Sequence, residues 1–469
     1  MGGILGIHSP QPIAAAGLVY LGLYALQHRG QESAGMAVAD NGTIRIHKGM
    51  GMVANVFDDR HLAGLPGRIA IGHTRYGKSE ATYPIGIHPL SAITKYGQIA
   101  IACNGNLLNP ASLRRRLLQK GSVFQTATDS EVILNLIAKG EEANLEDAVA
   151  GVIPQLRGAY AAVLLSHGKL LAFRDPYGVR PLVLGKLGEA YVVASETAAL
   201  DSIGAVYERE CRPGELVIIS DKGLESRQVV TLDRPAFCVF EYVYLARPDS
   251  NIGQQNVHLI RKEIGRVLAR EAKVEADLVI PAPESANSAA MGYAEESGIP
   301  FDFGLMKNRY VGRTFIQPTQ DLRRQGVSMK FNAVRAILSG KRVVLVEDSI
   351  VRGTTTSQAV QMIRNGGAKE VHLMIAAPPF THPCHYGIDV PREGELIASG
   401  RTSDEVAALI GADTLHYISP AGLCRAVGRV MKELCLACFS GEYPAGLPES
   451  GDQAAMPPGE FEKEKERGR

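Results

Sequence analysis

Short apolar segments that alternate with polar residues fill the first half of the chain. They occupy 43–46, 98–103, 159–165 and 189–194, and glycine-rich turns separate them. In two further stretches, 13–28 and 130–138, apolar residues recur at three- and four-residue steps, which is the spacing of amphipathic helices. Strands in two groups with helices between them predict a layered α+β sandwich over residues 2–232.

The pattern changes after Asp233. A continuous apolar run at 343–346 and predicted strands at 277–281 and 370–376 alternate with helical patterns at 256–274 and from Ser357 onward. Strands without polar alternation are buried on both faces, as in a parallel sheet. This half therefore predicts a doubly wound α/β domain over 233–444. The remaining residues, 445–469, are rich in Pro, Gly, Glu and Lys and predict a disordered tail.

Composition narrows the class of protein. The 469 residues carry a formal net charge of +1, which gives no sign of a nucleic-acid partner. No apolar run is long enough to cross a bilayer, and no cationic leader opens the chain, so no membrane association is expected. Seven cysteines, an odd number, predict free thiols or metal ligands rather than a disulfide framework. These features predict a cytoplasmic enzyme.

The segment 342–357, RVVLVEDSIVRGTTTS, joins a buried strand, an acidic pair and a small-residue turn to a helix. Backbone N–H groups at the start of that helix can surround a phosphate. They belong to Arg352, Gly353, Thr354 and Thr355. Glu347 and Asp348 suit sugar hydroxyls or a divalent cation. The segment predicts a ligand with a phosphate at one end and sugar hydroxyls near the middle, and the alternative is an ordinary turn with solvent-facing acids.

This segment resembles the phosphoribosylpyrophosphate (PRPP) loop of type I phosphoribosyltransferases. The resemblance implies that the acidic pair contacts the ribose hydroxyls and Mg²⁺, and that the glycine–threonine turn holds the 5-phosphate. Ser285, in PAPESANSAAMGYA, is implied to contact the pyrophosphate or the metal. Glu347 departs from the aspartate common in the family, which keeps the charge but moves it. The implied PRPP-binding residues of the loop are Glu347, Asp348, Ser349, Val351, Arg352, Gly353, Thr354 and Thr355.

Six strings in the first domain resemble class II glutamine amidotransferases of the N-terminal-nucleophile hydrolase fold. They are MGGILGI, LQHRGQESAG, IGHTRYGK, ACNGNLLN, TATDSEV and DPYGVRPL. In that family a mature first cysteine attacks the glutamine amide, with its own α-amine as base. The resemblance implies that Arg75 holds the substrate α-carboxylate and Asp129 its α-amine. It also assigns Asn104 and Gly105 to the oxyanion hole, and Arg29 to the same pocket.

The nucleophile position departs from this pattern. Aligning the opening residues with the family places Gly2 where the cysteine belongs, and glycine has no nucleophile. Lys78 puts a long cation at the edge of the pocket. Cys103 has no base beside it and is interpreted as a small buried thiol. The chain is therefore predicted not to hydrolyse glutamine, and ammonia is expected from solution or from a separate donor protein.

The segment 307–332 is rich in Arg, Lys, Gly and hydroxyl residues and has little apolar periodicity. It predicts either a solvated basic loop or a lid that closes on PRPP and excludes water. It resembles the closing loop of the glutamine PRPP amidotransferases, which make 5-phosphoribosylamine in purine synthesis. The resemblance implies that Lys307, Arg309 and Arg313 reach the pyrophosphate.

That resemblance extends over the chain to about Pro444 and carries further implications. Tyr244 and Arg247 are implied to couple the two sites and to line an ammonia channel. Purine nucleotides are implied as inhibitors, with Lys330 as a contact, although a solvent-facing lysine is the simpler alternative. The family also implies a homotetramer.

Four of the cysteines predict a metal or cluster site. Cys435 and Cys438 form a C-x-x-C pair, while Cys238 and Cys384 are distant in sequence. Four thiolates suit structural zinc or an iron–sulfur cluster, and the spacing does not choose between them. The resemblance implies a [4Fe-4S] cluster that braces the two domains.

Three functions follow from these patterns. The favoured one is a glycosyltransferase that forms 5-phosphoribosylamine from PRPP and ammonia with Mg²⁺. The second is a non-catalytic regulator that binds PRPP or purine nucleotides beside a complete amidotransferase. The third is phosphoribosyl transfer to another amine.

Overall fold

The first domain is built from two antiparallel sheets. The computed structural model of the chain describes residues 2–76, 86–308, 331–391 and 393–449. The strands of this domain are β1 (Gly2–His8), β2 (Ser33–Asp40), β3 (Thr43–Met50), β4 (Ile69–Arg75), β5 (Leu90–Thr94), β6 (Gly97–Leu107), β7 (Gly158–Ser166), β8 (Lys169–Arg174), β9 (Val183–Leu187), β10 (Ala190–Ala194), β11 (Val206–Glu210), β12 (Glu215–Ser220) and β13 (Gly223–Gln228). One sheet has the order β11-β9-β10-β1-β4-β2-β3, and the other β13-β12-β8-β7-β6-β5.

Helices cover the outer faces of this sandwich. They are α1 (Ala15–Ala25), α2 (Val53–Val56), α3 (Asp59–Ala63), α4 (Pro110–Gln119), α5 (Asp129–Lys139), α6 (Leu145–Val152) and α7 (Thr197–Ser202). Alternation along the strands sets the layers, because Ile4 and Ile71 pack between the sheets whereas Leu5 packs with the residues of α1. The predicted α+β sandwich is confirmed, with its helices on the outside.

The second domain is organised around a parallel sheet. Its strands are β14 (Phe237–Cys238), β15 (Asn251–Ile252), β16 (Gln255–Asn256), β17 (Leu278–Pro281), β18 (Leu305–Lys307), β19 (Phe331–Ala333), β20 (Arg342–Glu347), β21 (Glu370–Ile375), β22 (Thr414–Tyr417) and β23 (Leu434–Cys435). The parallel order is β17-β20-β21-β22. β20 is buried along Val343–Glu347. This confirms the α/β prediction.

Helices cover both faces of this sheet. They are α8 (Val257–Glu271), α9 (Asn287–Ser297), α10 (Arg335–Leu338), α11 (Thr354–Asn365), α12 (Ser403–Ile410), α13 (Pro420–Val427) and α14 (Ala437–Ser440). Val343 and Leu345 pack with α11 and α12, whereas Val344 and Val346 pack with α8 and α9. No helix in the described ranges has the length and apolarity needed to cross a membrane.

The two domains meet along a segment that follows the last sandwich strand. A π-helix at Glu241–Leu245 lies in this segment, and the short strand β14 pairs in parallel with β23 near the end of the chain. Residues 445–449 contact both domains: the N–H of Ala445 donates to Tyr386 Oη over 2.8 Å, and that of Glu449 donates to the Leu108 carbonyl over 3.2 Å. The rest of the predicted tail lies outside the described residues.

Candidate functional site

The acidic pair lies at the carboxyl end of β20, the second strand of the parallel sheet. Glu347 is only 9% exposed and Asp348 8%, which excludes the solvent-facing alternative. Asp348 accepts hydrogen bonds from Ser285 Oγ and, over 2.5 Å, from Ser349 Oγ. Sequence reasoning placed Ser285 and Asp348 in one site, and the structure brings them together.

Burial controls the charge of these two acids. Desolvation, and then the neighbouring charge of Asp348, raise the pKa of Glu347 to about 8, while burial also raises the pKa of Asp348. Among the described residues, buried Glu347 Oε2 has no hydrogen-bond partner. A buried carboxyl oxygen without a donor suits a ligand hydroxyl or a cation. The pair is therefore able to hold either sugar hydroxyls or Mg²⁺.

The glycine before α11 fixes the turn that leads into this helix. Gly353 has φ 75°, and a Cβ at this position would overlap Ile397 Cδ1. The chain can therefore turn sharply and begin α11 at Thr354, three residues before the helix pattern visible from Ser357. The N–H groups of a first helical turn have no partner within the helix, so they are available to an anion.

The residues around this turn divide into backbone and side-chain roles. Arg352 directs its guanidinium to Glu395 at the surface, 2.8 Å away, so only its backbone remains near the turn. The Val351 carbonyl accepts a hydrogen bond from the Ile397 N–H over 2.9 Å. Lys307 lies at the rim of the site, with Nζ 3.2 Å from Glu284, the neighbour of Ser285. The predicted lid and nucleotide contacts Arg309, Arg313 and Lys330 lie outside the described residues.

Sequence reasoning missed Arg261, a buried cation of α8. It is 3% exposed, and its guanidinium donates to the backbone carbonyls of Tyr242 and Ala246. Burial lowers its pKa, and the charge of Asp348 is the largest opposing influence. The available signal was its position between Ile260 and Ile264, in the apolar stripe of the helix.

Most residues assigned to the glutamine pocket meet at the open end of the sandwich. Gly2 pairs with Arg75 across β1 and β4, and the Gly2 N–H donates to Asn104 Oδ1 over 2.9 Å. Gly105 follows in β6 with φ 125°. Asp129 lies at the start of α5 and accepts from the Leu107 N–H over 2.8 Å. Sequence reasoning therefore identified residues that the fold brings together, although Lys78 lies outside the described residues.

The surroundings of Gly2 are filled. A Cβ at Gly2 would lie 2.6 Å from His73 Nε2 and 2.7 Å from the Thr74 carbonyl oxygen. Burial raises the pKa of the Cys103 thiol to about 12, so this thiol is not ionised near neutral pH. The described part of the pocket places Asn104 and Gly105 beside Gly2 and contains no activated thiol.

The side chain of Arg29, which the family resemblance assigns to the glutamine pocket, is held by carboxylates at the domain junction. Its guanidinium is fully buried and is engaged by Glu196 and by Glu241, 2.6 Å away. Glu241 also lies 3.6 Å from Arg180. Through these carboxylates, Arg29 joins the first domain to the π-helix of the second.

The predicted coupling residues Tyr244 and Arg247 lie at this domain junction. Tyr244 is 39% exposed, and its ring packs against Phe240 with 5.6 Å between centroids. The Arg247 N–H donates to Glu196 over 2.8 Å, and its guanidinium pairs with Asp249 over 2.6 Å. The backbone of Arg247 is thus fixed by the first domain.

Four cysteine side chains line one small cavity between the end of the chain and the domain junction. They are Cys238, Cys384, Cys435 and Cys438, and Arg180 and Tyr443 line the same cavity. Cys238 and Cys435 are directly paired between β14 and β23. Burial raises the pKa of Cys238 to about 12 and those of Cys435 and Cys438 further still. All seven cysteines are free thiols.

The described residues contain no group of three or more His, Cys, Asp or Glu side chains placed closely enough to hold a metal ion. The four thiols share a cavity without converging on one point. Their shared cavity, their chemistry and the neighbouring buried guanidinium of Arg180 nevertheless fit a thiolate-ligated group.

The fold and the sites define a two-domain enzyme in which a class II glutamine amidotransferase domain precedes a phosphoribosyltransferase domain. Residues 79–202 match the family model described as a glutamine amidotransferase domain. The chain is 47% identical to amidophosphoribosyltransferase of Bacillus subtilis, over 95% of this chain and 94% of that protein. It is 45% identical to that of Archaeoglobus fulgidus, over 96% and 99%. The chain belongs to the amidophosphoribosyltransferase family.

Solved structures give the same result. The B. subtilis glutamine PRPP amidotransferase complexed with ADP and GMP has a TM-score of 0.89 and 47% identity, over 94% of this chain and 97% of that chain. A structure of the allosteric regulatory enzyme of purine biosynthesis has a TM-score of 0.90 and 46% identity, over 95% and 98%. The family resemblance drawn from the motifs is confirmed.

Proposed function

We propose that this protein forms 5-phosphoribosylamine from PRPP and ammonia in purine biosynthesis. The observation that carries the proposal is the buried acidic pair beside the glycine-led start of α11. Ammonia attacks the anomeric carbon, the bond from that carbon to the pyrophosphate oxygen breaks, and the new amine loses one proton. The reaction needs no covalent enzyme intermediate, so positioning and charge neutralisation are the protein's contribution.

Different residues bind different parts of PRPP. Asp348 and Glu347 receive the ribose hydroxyls, and the N–H groups of Gly353, Thr354 and Thr355 receive the 5-phosphate. Lys307, Arg309 and Arg313 are proposed to bind the pyrophosphate. Mg²⁺ fits the acidic pair and Ser285 because these supply hard oxygen ligands, and it would neutralise charge on the departing pyrophosphate.

Ammonia is proposed in place of glutamine because position 2 offers no nucleophile. The crowding around Gly2 and the high pKa of Cys103 support this proposal. The glutamine pocket would then lack the thiol of the family's first cysteine and keep its other residues, namely Asn104, Gly105, Arg75 and Asp129.

The four-cysteine cavity is proposed to hold a [4Fe-4S] cluster. Cys238, Cys384, Cys435 and Cys438 would be its ligands, and the cluster would supply a cross-link between the domain junction and the chain end. Burial disfavours free thiolates at this place, so the thiols need a metal partner in order to ionise. The B. subtilis relative was solved with ADP and GMP, and purine nucleotides are proposed as inhibitors here by that likeness. A homotetramer is proposed from the family resemblance alone.

Pyrophosphate release tests the phosphoribosyl half-reaction. Anaerobically purified protein with PRPP, Mg²⁺ and ammonium chloride at high pH is expected to release pyrophosphate. Asp348→Asn should lower kcat/KM about 100-fold, since it removes a charged contact of about 2–3 kcal/mol. Asp404→Asn, at an exposed position on α12, is the matched control and should act as wild type. Binding of PRPP without release would favour the regulator or another amine.

A further inference from the structure

Arg261 of α8 holds two backbone carbonyls of the domain junction. Its Nε donates to the Tyr242 carbonyl over 2.7 Å, and its Nη2 donates to the Ala246 carbonyl over 2.8 Å. At 3% exposure the guanidinium has almost no water available to replace these contacts. Loss of this side chain would therefore leave buried carbonyls without a donor.

The two carbonyls belong to an unusual turn. They lie at the π-helix Glu241–Leu245 and at the residue that ends it. A π-helix is rare and breaks the regular hydrogen-bond ladder, so its carbonyls depend on side-chain donors. Arg261 supplies those donors from α8.

The first domain holds the same turn from the other side. Arg29 engages Glu241 within the turn. Glu196 accepts hydrogen bonds from the Arg247 N–H over 2.8 Å and from Ser250 Oγ over 2.6 Å. The segment 241–250 is thus held between buried charges of both domains.

The other end of this connection is the proposed PRPP site. α8 packs on the sheet that carries the acidic pair, because its Ile264 lies in one apolar cluster with Val346 of β20. The charge of Asp348 also favours the charged form of Arg261. α8 therefore contacts both the junction and the sheet that carries the acidic pair.

We propose that Arg261 is a positioning residue that fixes the junction segment 241–250 relative to the acidic pair. By holding this segment, Arg261 aligns the path of the incoming amine with the ribose bound at the acidic pair. The inference rests on the proposed function in one respect, namely that the acidic pair binds PRPP.

Amide hydrogen exchange and kinetics of the full-length protein test this role. R261M is expected to speed exchange in peptides covering 241–250 about tenfold, the effect of losing about 1.4 kcal/mol of local stability. R261M should also raise the KM for ammonium about tenfold while the exchange of β20 stays unchanged. R261K, which keeps the charge and one donor group, should recover part of both effects.

The matched control is R266M on the same helix. Arg266 is paired at the surface with Glu263 and Glu295, so its removal should leave exchange in 241–250 and the KM for ammonium unchanged. Wild-type exchange and KM in R261M would overturn the proposal. Equally fast exchange throughout the second domain would also overturn it, because it would show a general packing role.

The readouts separate this proposal from the proposed function. A wild-type protein that never releases pyrophosphate would refute the proposed function. The role of Arg261 would then be tested by measuring hydrogen exchange of 241–250 with and without added Mg²⁺ and PRPP. Added PRPP should slow this exchange in wild type and not in R261M, and an equal response in both would overturn the proposal.

Discussion

Two buried histidines lie where the nucleophile is missing. The rings of His73 and His88 are 4.5 Å apart between centroids, and His88 Nε2 lies 2.7 Å from Ser130 Oγ. Burial lowers the pKa of His88 to about 3 and lowers that of His73 strongly. Both rings are therefore neutral at the pH of the cell.

These histidines predict a dependence of stability on pH. Because the folded protein resists protonation of His88, the unfolded chain binds its proton first as the pH falls below about 6.5. His88 should therefore lower the free energy of unfolding by about 2 kcal/mol between pH 7 and pH 5, and the loss should continue towards pH 3. Denaturant unfolding at several pH values measures this.

His88→Gln keeps a hydrogen-bonding group near Ser130 but cannot take up a proton. Its unfolding free energy should therefore fall less between pH 7 and pH 5, by about the 2 kcal/mol assigned to the histidine. Ser130→Ala is the control, since it removes the hydroxyl and keeps the titrating ring. A pH dependence in His88→Gln as steep as in wild type would refute this explanation.

At the scale of elements, the start of α11 depends on one glycine. Gly353→Ala should destabilise the protein by about 2–3 kcal/mol, because it adds a left-handed strain of about 1 kcal/mol to a clash with Ile397. PRPP affinity should fall as well, since the first-turn N–H groups would shift. Thermal unfolding and PRPP titration measure the two effects.

A second glycine distinguishes the cost of left-handed backbone strain from the cost of a steric clash. Gly298 ends α9 with φ 73°, and a Cβ there would meet no other part of the described chain within 4 Å. Gly298→Ala should therefore cost only about 1 kcal/mol and leave PRPP affinity unchanged. Equal effects of the two substitutions would show that contact with Ile397 does not matter.

The same elements show what the sequence could predict. The apolar run at 343–346 predicts the strand β20 to within one residue at each end, because burial on both faces leaves a clear pattern. The start of α11 is not visible in periodicity, since its first turn is three threonines whose helical state depends on Gly353 and on packing from Ile397. Contacts of that kind come from residues distant in the chain.

At the scale of the whole molecule, buried charges join the domains. Arg29→Met should destabilise the protein by about 3–5 kcal/mol, since it leaves Glu196 and Glu241 buried without their cation. Arg227→Met, at an exposed pair with Asp147, should cost less than about 1 kcal/mol. Chemical denaturation measures both, and similar small losses in the two variants would refute a structural role for this network.

This network also marks the limit of sequence reasoning. The string that contains Arg29 predicts its domain correctly, but its partners are 167 and 212 residues away. No local pattern reports such pairings. The four cysteines were easier to group because thiols are few, whereas the buried role of Arg261 required the position of the π-helix.

The origin of the nitrogen is the most direct test of the central claim. PRPP labelled with ¹³C at the anomeric carbon would be supplied with Mg²⁺ and either ¹⁵N-ammonium or amide-¹⁵N glutamine, and the product followed by NMR. A ¹³C–¹⁵N coupling from ammonium alone is the predicted result. Coupling from glutamine would contradict the loss of the glutaminase, and no coupling from either donor would contradict the proposed synthesis of phosphoribosylamine.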